Sequence, residues 1–147
     1  MTIIIHYQGI GASTLAKKHP KFIDLESSNF FIGDKRDELW YIPYTNIAKS
    51  LHQQGYNVFV SSHDVVRQQL RGEDKVVIVC PDLSLKNEWI SRLNQRYENT
   101  ELKKDYNAYI NAKVRFAENI TDLLTEPFTK IIIKSMDYNL EELLRKI

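Results

Sequence analysis

Four short, continuously apolar runs rich in β-branched residues constrain this chain most: Thr2–Tyr7 (TIIIHY), Asn57–Ser61 (NVFVS), Lys75–Cys80 (KVVIVC) and Lys130–Lys134 (KIIIK). Strands with one wet face alternate apolar and polar residues. These runs do not, which predicts parallel strands covered on both faces. A weaker fifth run spans Phe22–Leu25. Helical patterns lie between them. Ser13–Lys18 is short and stopped by Pro20, and a second helix runs from about Pro43 to Gln54 with Gly55 behind it. Asp64–Leu70 makes a third. Ser84 is placed to cap a fourth, with Trp89, Leu93 and Tyr97 as its stripe. A long amphipathic stretch covers Tyr106 to Leu124, and Asn139 opens a capping box ahead of Leu143, Leu144 and Ile147. This alternation predicts βαβ units with right-handed crossovers: an α/β architecture of three layers, with a central parallel sheet of about five strands.

The 147 residues contain no internal repeat and no linker-like tract, so one domain over 1–147 is expected. The polar stretch Tyr97–Asp105 (YENTELKKD) is its candidate mobile segment. A net charge of +1 supplies no field to gather nucleic acid or an anionic bilayer, so neither extended nucleic acid nor a membrane is an expected partner. An anionic ligand must therefore be caught locally. The one cysteine, Cys80, excludes an internal disulfide and sits in an apolar run, where a buried thiol is expected. No apolar run reaches membrane-spanning length, and a cytoplasmic location is the default.

The segment after the first run, His6–Thr14 (HYQGIGAST), lies between strand and helix. Set against the phosphate-loop pattern G-x-x-x-x-G-K-[ST], Gly11 is the second glycine and Ser13 the hydroxyl residue. His6 stands where the first glycine belongs and Ala12 where the lysine belongs. Gly9 and Gly11 let the backbone curl, so Gln8, Gly9, Ile10, Gly11, Ala12, Ser13 and Thr14 are candidate phosphate-binding residues. Ser13 is also the candidate Mg²⁺ ligand. Ala12 cannot place a cation on the β- and γ-phosphates, a loss worth roughly a hundredfold or more in rate. The plainer alternative is a glycine-rich connecting turn.

HYQGIGASTLAKK followed by FIDLESSNF resembles the opening of small P-loop nucleotide kinases of the adenylate kinase-like group, above all the short kinase-like proteins of bacteriophages and their bacterial hosts. The resemblance implies a P-loop NTPase-like domain that uses ATP or another nucleoside triphosphate with Mg²⁺. It places the phosphoryl acceptor near the end of the second strand. Asp24 is then a candidate catalytic group, and Glu26 and Ser27 are candidate acceptor contacts. At the end of the next strong strand His63 joins the acceptor side, with Arg67 a weaker candidate. That strand ends in Ser61, Ser62 and His63, not in the acidic residue such kinases often carry. Arg92 and Arg96 share a helix face in WISRLNQRYENT, which resembles a minimal lid around 92–107 whose arginines close on the transferring group. Two solvated helix charges are the plainer reading of that pair.

The sequence thus describes a nucleotide-binding protein of the kinase type. If active, it transfers phosphoryl from ATP to a nucleotide, nucleoside or nucleic-acid end, with turnover impaired by Ala12. A non-catalytic nucleotide binder and a phage-encoded protein-interaction module are the alternatives. The expected partner is a nucleotide or other small phosphorylated ligand.

Overall fold

The structure is a computed structural model that describes residues 1–32 and 35–146, the side chains of Phe31 and Ile32 apart. Ile147, expected to close the last apolar stripe, lies outside the described residues. Five strands form the main sheet: β1 (Ile3–His6), β2 (Phe22–Asp24), β5 (Asn57–Ser61), β6 (Val76–Pro81) and β7 (Thr129–Ile133). All pair in parallel, in the order β2-β5-β1-β6-β7. The most hydrophobic runs take the middle. Ile3, Ile4 and Ile5, Val58 to Val60 and Ile78 to Cys80 are each at most 1% exposed. The Cys80 thiol is buried as expected, and burial pushes its pKa up to about 11.

Helices cover both faces, as continuous apolar strands require. Side chains alternate along β1, so Tyr7 meets Phe116 on one face while His6 meets Phe59 on the other. Helix α1 (Ala12–Lys18) packs on β2, and α2 (Tyr41–Gln53) packs on β5 beside α3 (Asp64–Leu70). Helices α4 (Lys86–Thr100) and α5 (Lys103–Leu124) form a tight pair that closes on β6, and α6 (Leu140–Arg145) packs against α1. A two-stranded antiparallel ribbon, β3 (Phe31–Ile32) with β4 (Lys35–Arg36), stands apart from the main sheet.

Three local features depart from the sequence expectations. Ser84 does not cap the fourth helix, whose N-cap Leu85 makes no side-chain bond; it lies in a short 3₁₀ turn ahead of α4, where Asp82 takes both the Ser84 N–H (3.0 Å) and its hydroxyl (2.6 Å). The polar stretch 97–105 is helical on both sides of a tight turn. There Glu101 adopts left-handed backbone and buried Asp105 binds Arg96 Nε (2.9 Å) and the Thr100 hydroxyl (2.5 Å). Its polarity reflects two helix ends meeting. Third, α5 kinks at Arg115 (φ −130°, ψ 19°). Asn119 Nδ2 donates to Asn111 Oδ1 at 2.6 Å across that kink. In a straight helix those residues would be about 12 Å apart along the axis, so the amide pair and the kink require each other. Asn139, by contrast, caps α6 as its capping box predicts, accepting from Glu142 N–H at 3.0 Å.

Candidate functional site

Parallel strands end on one edge, and in this architecture ligands bind at the carboxyl ends of the strands. A cleft of about 1250 Å³ opens there. Every candidate site residue lines it: Gln8 to Thr14, Asp24, Glu26, Ser27, His63, Arg67, Arg92 and Arg96.

The loop from Tyr7 to Ala12 is held from one side. Trp89 Nε1 donates to the Gln8 carbonyl (2.7 Å), Arg92 Nη1 to that of Gly9 (3.0 Å) and the Tyr138 hydroxyl to that of Ile10 (2.7 Å). Gly9 (φ +90°) and Gly11 (φ +100°) adopt the left-handed backbone that favours glycine. At Gly9 a Cβ would also meet Leu93 Cδ2 at 3.0 Å and Trp89 Nε1 at 3.1 Å, so α4 packs directly onto the loop. Among the described residues, no protein acceptor takes the N–H groups of Gly9, Ile10 or Gly11. Ser13 and Thr14 are exposed to the cleft, whereas Ala12 is only 4% exposed and belongs to the core. The position that lacks the lysine is therefore packed. His6, in place of the first glycine, bonds the Tyr7 carbonyl through Nδ1 (3.0 Å), and burial lowers its pKa.

Asp24 ends β2, and burial together with neighbouring Glu26 raises its carboxyl to about 6. Glu26 faces Lys104 at 3.8 Å and accepts a long hydrogen bond from Ser28. His63 is pushed down to about 4 by burial and by the Arg36 guanidinium. At neutral pH its Nε2 therefore accepts from Arg36 Nη2 (3.3 Å), leaving Nδ1–H to donate to Ser61 Oγ (2.7 Å). Arg36 also lies over the Trp40 ring at 4.3 Å. The Tyr44 hydroxyl ties β2 to β5 by donating to the Leu25 carbonyl (2.6 Å) and accepting from Ser61 N–H (2.9 Å).

The arginines divide by their commitments. Arg67 lines the cleft but is buried, binding Glu126 (2.9 Å), Asp122 (2.9 Å) and the Ser62 carbonyl (3.0 Å). Its charge is balanced within the protein. Arg96 is held by Asp105 at the α4–α5 turn, so the candidate lid is a pinned helical hairpin. Arg92 lies against the rings of both Trp89 (4.6 Å) and Tyr138 (5.4 Å), with Nη1 also donating to the Tyr138 hydroxyl (2.8 Å). Arg92 is thus not a solvated helix charge, whereas Arg96, though paired with buried Asp105, leaves 43% of its side chain exposed.

Tyr138, Trp89 and Arg36 are the residues that sequence reasoning missed. Trp89 was legible only as part of an apolar stripe. Tyr138 and Arg36 sit in polar surroundings with no pattern to single them out.

Among the described residues, no group of three or more His, Cys, Asp or Glu side chains is arranged to hold a metal. The donors that are present, the exposed Ser13 hydroxyl with Asp24 and Glu26 across the cleft, fit Mg²⁺ carried in largely by phosphate oxygens and water. No described helix is long and apolar enough to cross a membrane. The all-parallel sheet between helix layers, with a glycine-bearing loop after its central strand, defines a three-layer P-loop NTPase-like fold. No protein-family model matches the chain, and no curated protein does.

Proposed function

We propose that this chain is a cytoplasmic P-loop-type nucleotide-binding protein of the nucleotide-kinase kind, better built to hold a polyphosphate than to turn it over. The observation that carries the reading is the loop after β1: its N–H groups are unclaimed by protein while its carbonyls are tied down, and two hydroxyls stand exposed beside them. Backbone N–H groups in that arrangement donate hydrogen bonds to phosphate oxygens. An acceptor side within the same cleft is supported by Asp24 at the end of β2 and His63 two residues beyond β5, both of which line it.

Donor phosphates would lie on Gly9, Gly11, Ser13 and Thr14. With a carboxyl near 6, Asp24 is mostly ionised at neutral pH and able to take a proton from an acceptor hydroxyl. Mg²⁺ would neutralise the triphosphate. What this chain does not supply is a loop cation, since Ala12 is apolar and packed. That favours binding with weak turnover over efficient phosphoryl transfer.

Calorimetry with Mg²⁺–ATP, paired with a phosphate-release assay, tests this on the wild type and on Ala12→Lys. The wild type is expected to bind and turn over slowly, and the lysine form to gain turnover. If neither form binds ATP or pyrophosphate, the proposal fails.

A further inference from the structure

A trans peptide is rigid and planar, so the carbonyl of one residue and the N–H of the next lie on opposite edges of one plate. In the loop after β1, three successive plates have their carbonyl edges tied: Gln8 by Trp89, Gly9 by Arg92 and Ile10 by Tyr138. The opposite edges carry the N–H groups of Gly9, Ile10 and Gly11, for which no protein acceptor exists among the described residues. Fixing the first set of groups aims the second.

The three donors also fix one another. The Trp89 and Tyr138 rings stack with an interplanar angle of 18° and centroids 6.2 Å apart, and Arg92 lies against both. One Arg92 nitrogen serves the Gly9 carbonyl and the Tyr138 oxygen together, while the Tyr138 proton goes to Ile10. Arg92 thus holds a loop carbonyl, and the plate geometry puts it on the edge of the loop away from the aimed N–H groups. The sequence expectation has this arginine closing on a transferring phosphoryl; here its Nη1 is engaged by the Gly9 carbonyl and the Tyr138 hydroxyl.

We propose that Tyr138, with Trp89 and Arg92, is a positioning residue for the loop, and that an oxyanion is held there by backbone N–H groups aimed by this carbonyl clamp and not by a side-chain cation. The inference rests on the phosphate-loop reading. It deepens that reading by assigning the ligand's recognition to three plates, and it explains how a loop without lysine can still bind polyphosphate. Neutral, fixed donors cost little reorganisation when the anion arrives.

The test is Tyr138→Phe, which removes one oxygen and keeps the ring stack. Affinity for inorganic tripolyphosphate and for Mg²⁺–ATP is measured by calorimetry at a temperature where every variant is folded. Amide shifts of Gly9, Ile10 and Gly11 are recorded by NMR in the free proteins. Loss of one aiming contact is expected to weaken both ligands about tenfold and to move those three amides. Arg92→Ala, which removes both donations from Nη1, should do the same. Val66→Ala in α3, buried and outside the cleft, is the stability control: it should lower the melting temperature with affinity unchanged. Wild-type binding matched by Tyr138→Phe would overturn the clamp and leave the phosphate loop standing. Failure of the wild type to bind either probe would overturn both.

Discussion

Glu126 is the group whose removal the structure prices most directly. Its side chain is 2% exposed, and its two oxygens accept from Arg67 Nη1 (2.9 Å), Arg71 Nε (2.9 Å) and Arg71 Nη2 (3.1 Å). Glu126→Gln keeps the volume but removes the charge, and it sets an NH₂ group against arginine donors that cannot accept. Arg67, 8% exposed at its side chain, would then have only Asp122 for a counter-charge, and that carboxylate is 61% exposed. Breaking a buried pair from one side costs about 3–5 kcal/mol. The surviving amide oxygen and Asp122 offset part of this, leaving about 3 kcal/mol. At about 2–4 °C per kcal/mol for a domain of this size, the melting temperature should fall by about 6–12 °C. Circular dichroism melts and urea titrations measure it, with the urea m-value expected to stay constant because the surface exposed on unfolding is unchanged. Arg71→Ala should cost less than about 1 kcal/mol, since that side chain is half exposed. A Glu126→Gln melting temperature within 2 °C of wild type, read against about 6 °C at the least, would refute the assignment of Arg67 to a structural network.

Gly9→Ala and Gly11→Ala both place a Cβ on left-handed backbone, at about 1–3 kcal/mol each. Only Gly9 also meets Leu93 and Trp89 at close range, so it should lower the melting temperature more; equal losses would show that α4 does not press on the loop. Asp24→Asn isolates a carboxyl whose folded pKa is raised. Between its unfolded value near 4 and its folded value near 6 the native state binds more protons, so the wild type loses stability relative to Asp24→Asn as pH rises through that window. Urea midpoints of both proteins at pH 4, 5, 6 and 7 should diverge with rising pH, and parallel curves would place Asp24 in water.

The sheet was readable because buried parallel strands leave continuous apolar runs, and four of the five strands carry them. Even short β2 showed as Phe22–Leu25, since Phe22 and Leu25 pack on the core, Phe22 stacking on Phe59 of β5. The tight turn after β1 was readable from Gly9 and Gly11, both of which adopt left-handed backbone there. Cap chemistry was readable in part: Asn139 fits its box, while Ser84 lies inside a 3₁₀ turn capped by Asp82, and α4 starts after Leu85 with no side-chain cap. The commitments of the arginines were not readable at all. Arg67, Arg92 and Arg96 differ in what holds them, and the partners (Glu126, Tyr138 and Asp105) come from other elements or the far side of a turn. The ribbon β3–β4 was equally hidden, since two-residue strands are too short to show a periodicity.

The clamp on the loop has a temporal side. The groups that take the Gln8, Gly9 and Ile10 carbonyls lie 81, 83 and 128 positions further along the chain. Contacts of such separation form only after the intervening chain has condensed, because closing a long loop costs entropy before the contact repays it. During synthesis, the residues that would grip a phosphate emerge first and acquire their geometry last, once the segment around Tyr138 has docked. On the proposed function, the loop's grip on an anion is completed only by contacts made from Trp89, Arg92 and Tyr138. Competence at the beginning of the chain is conferred near its end.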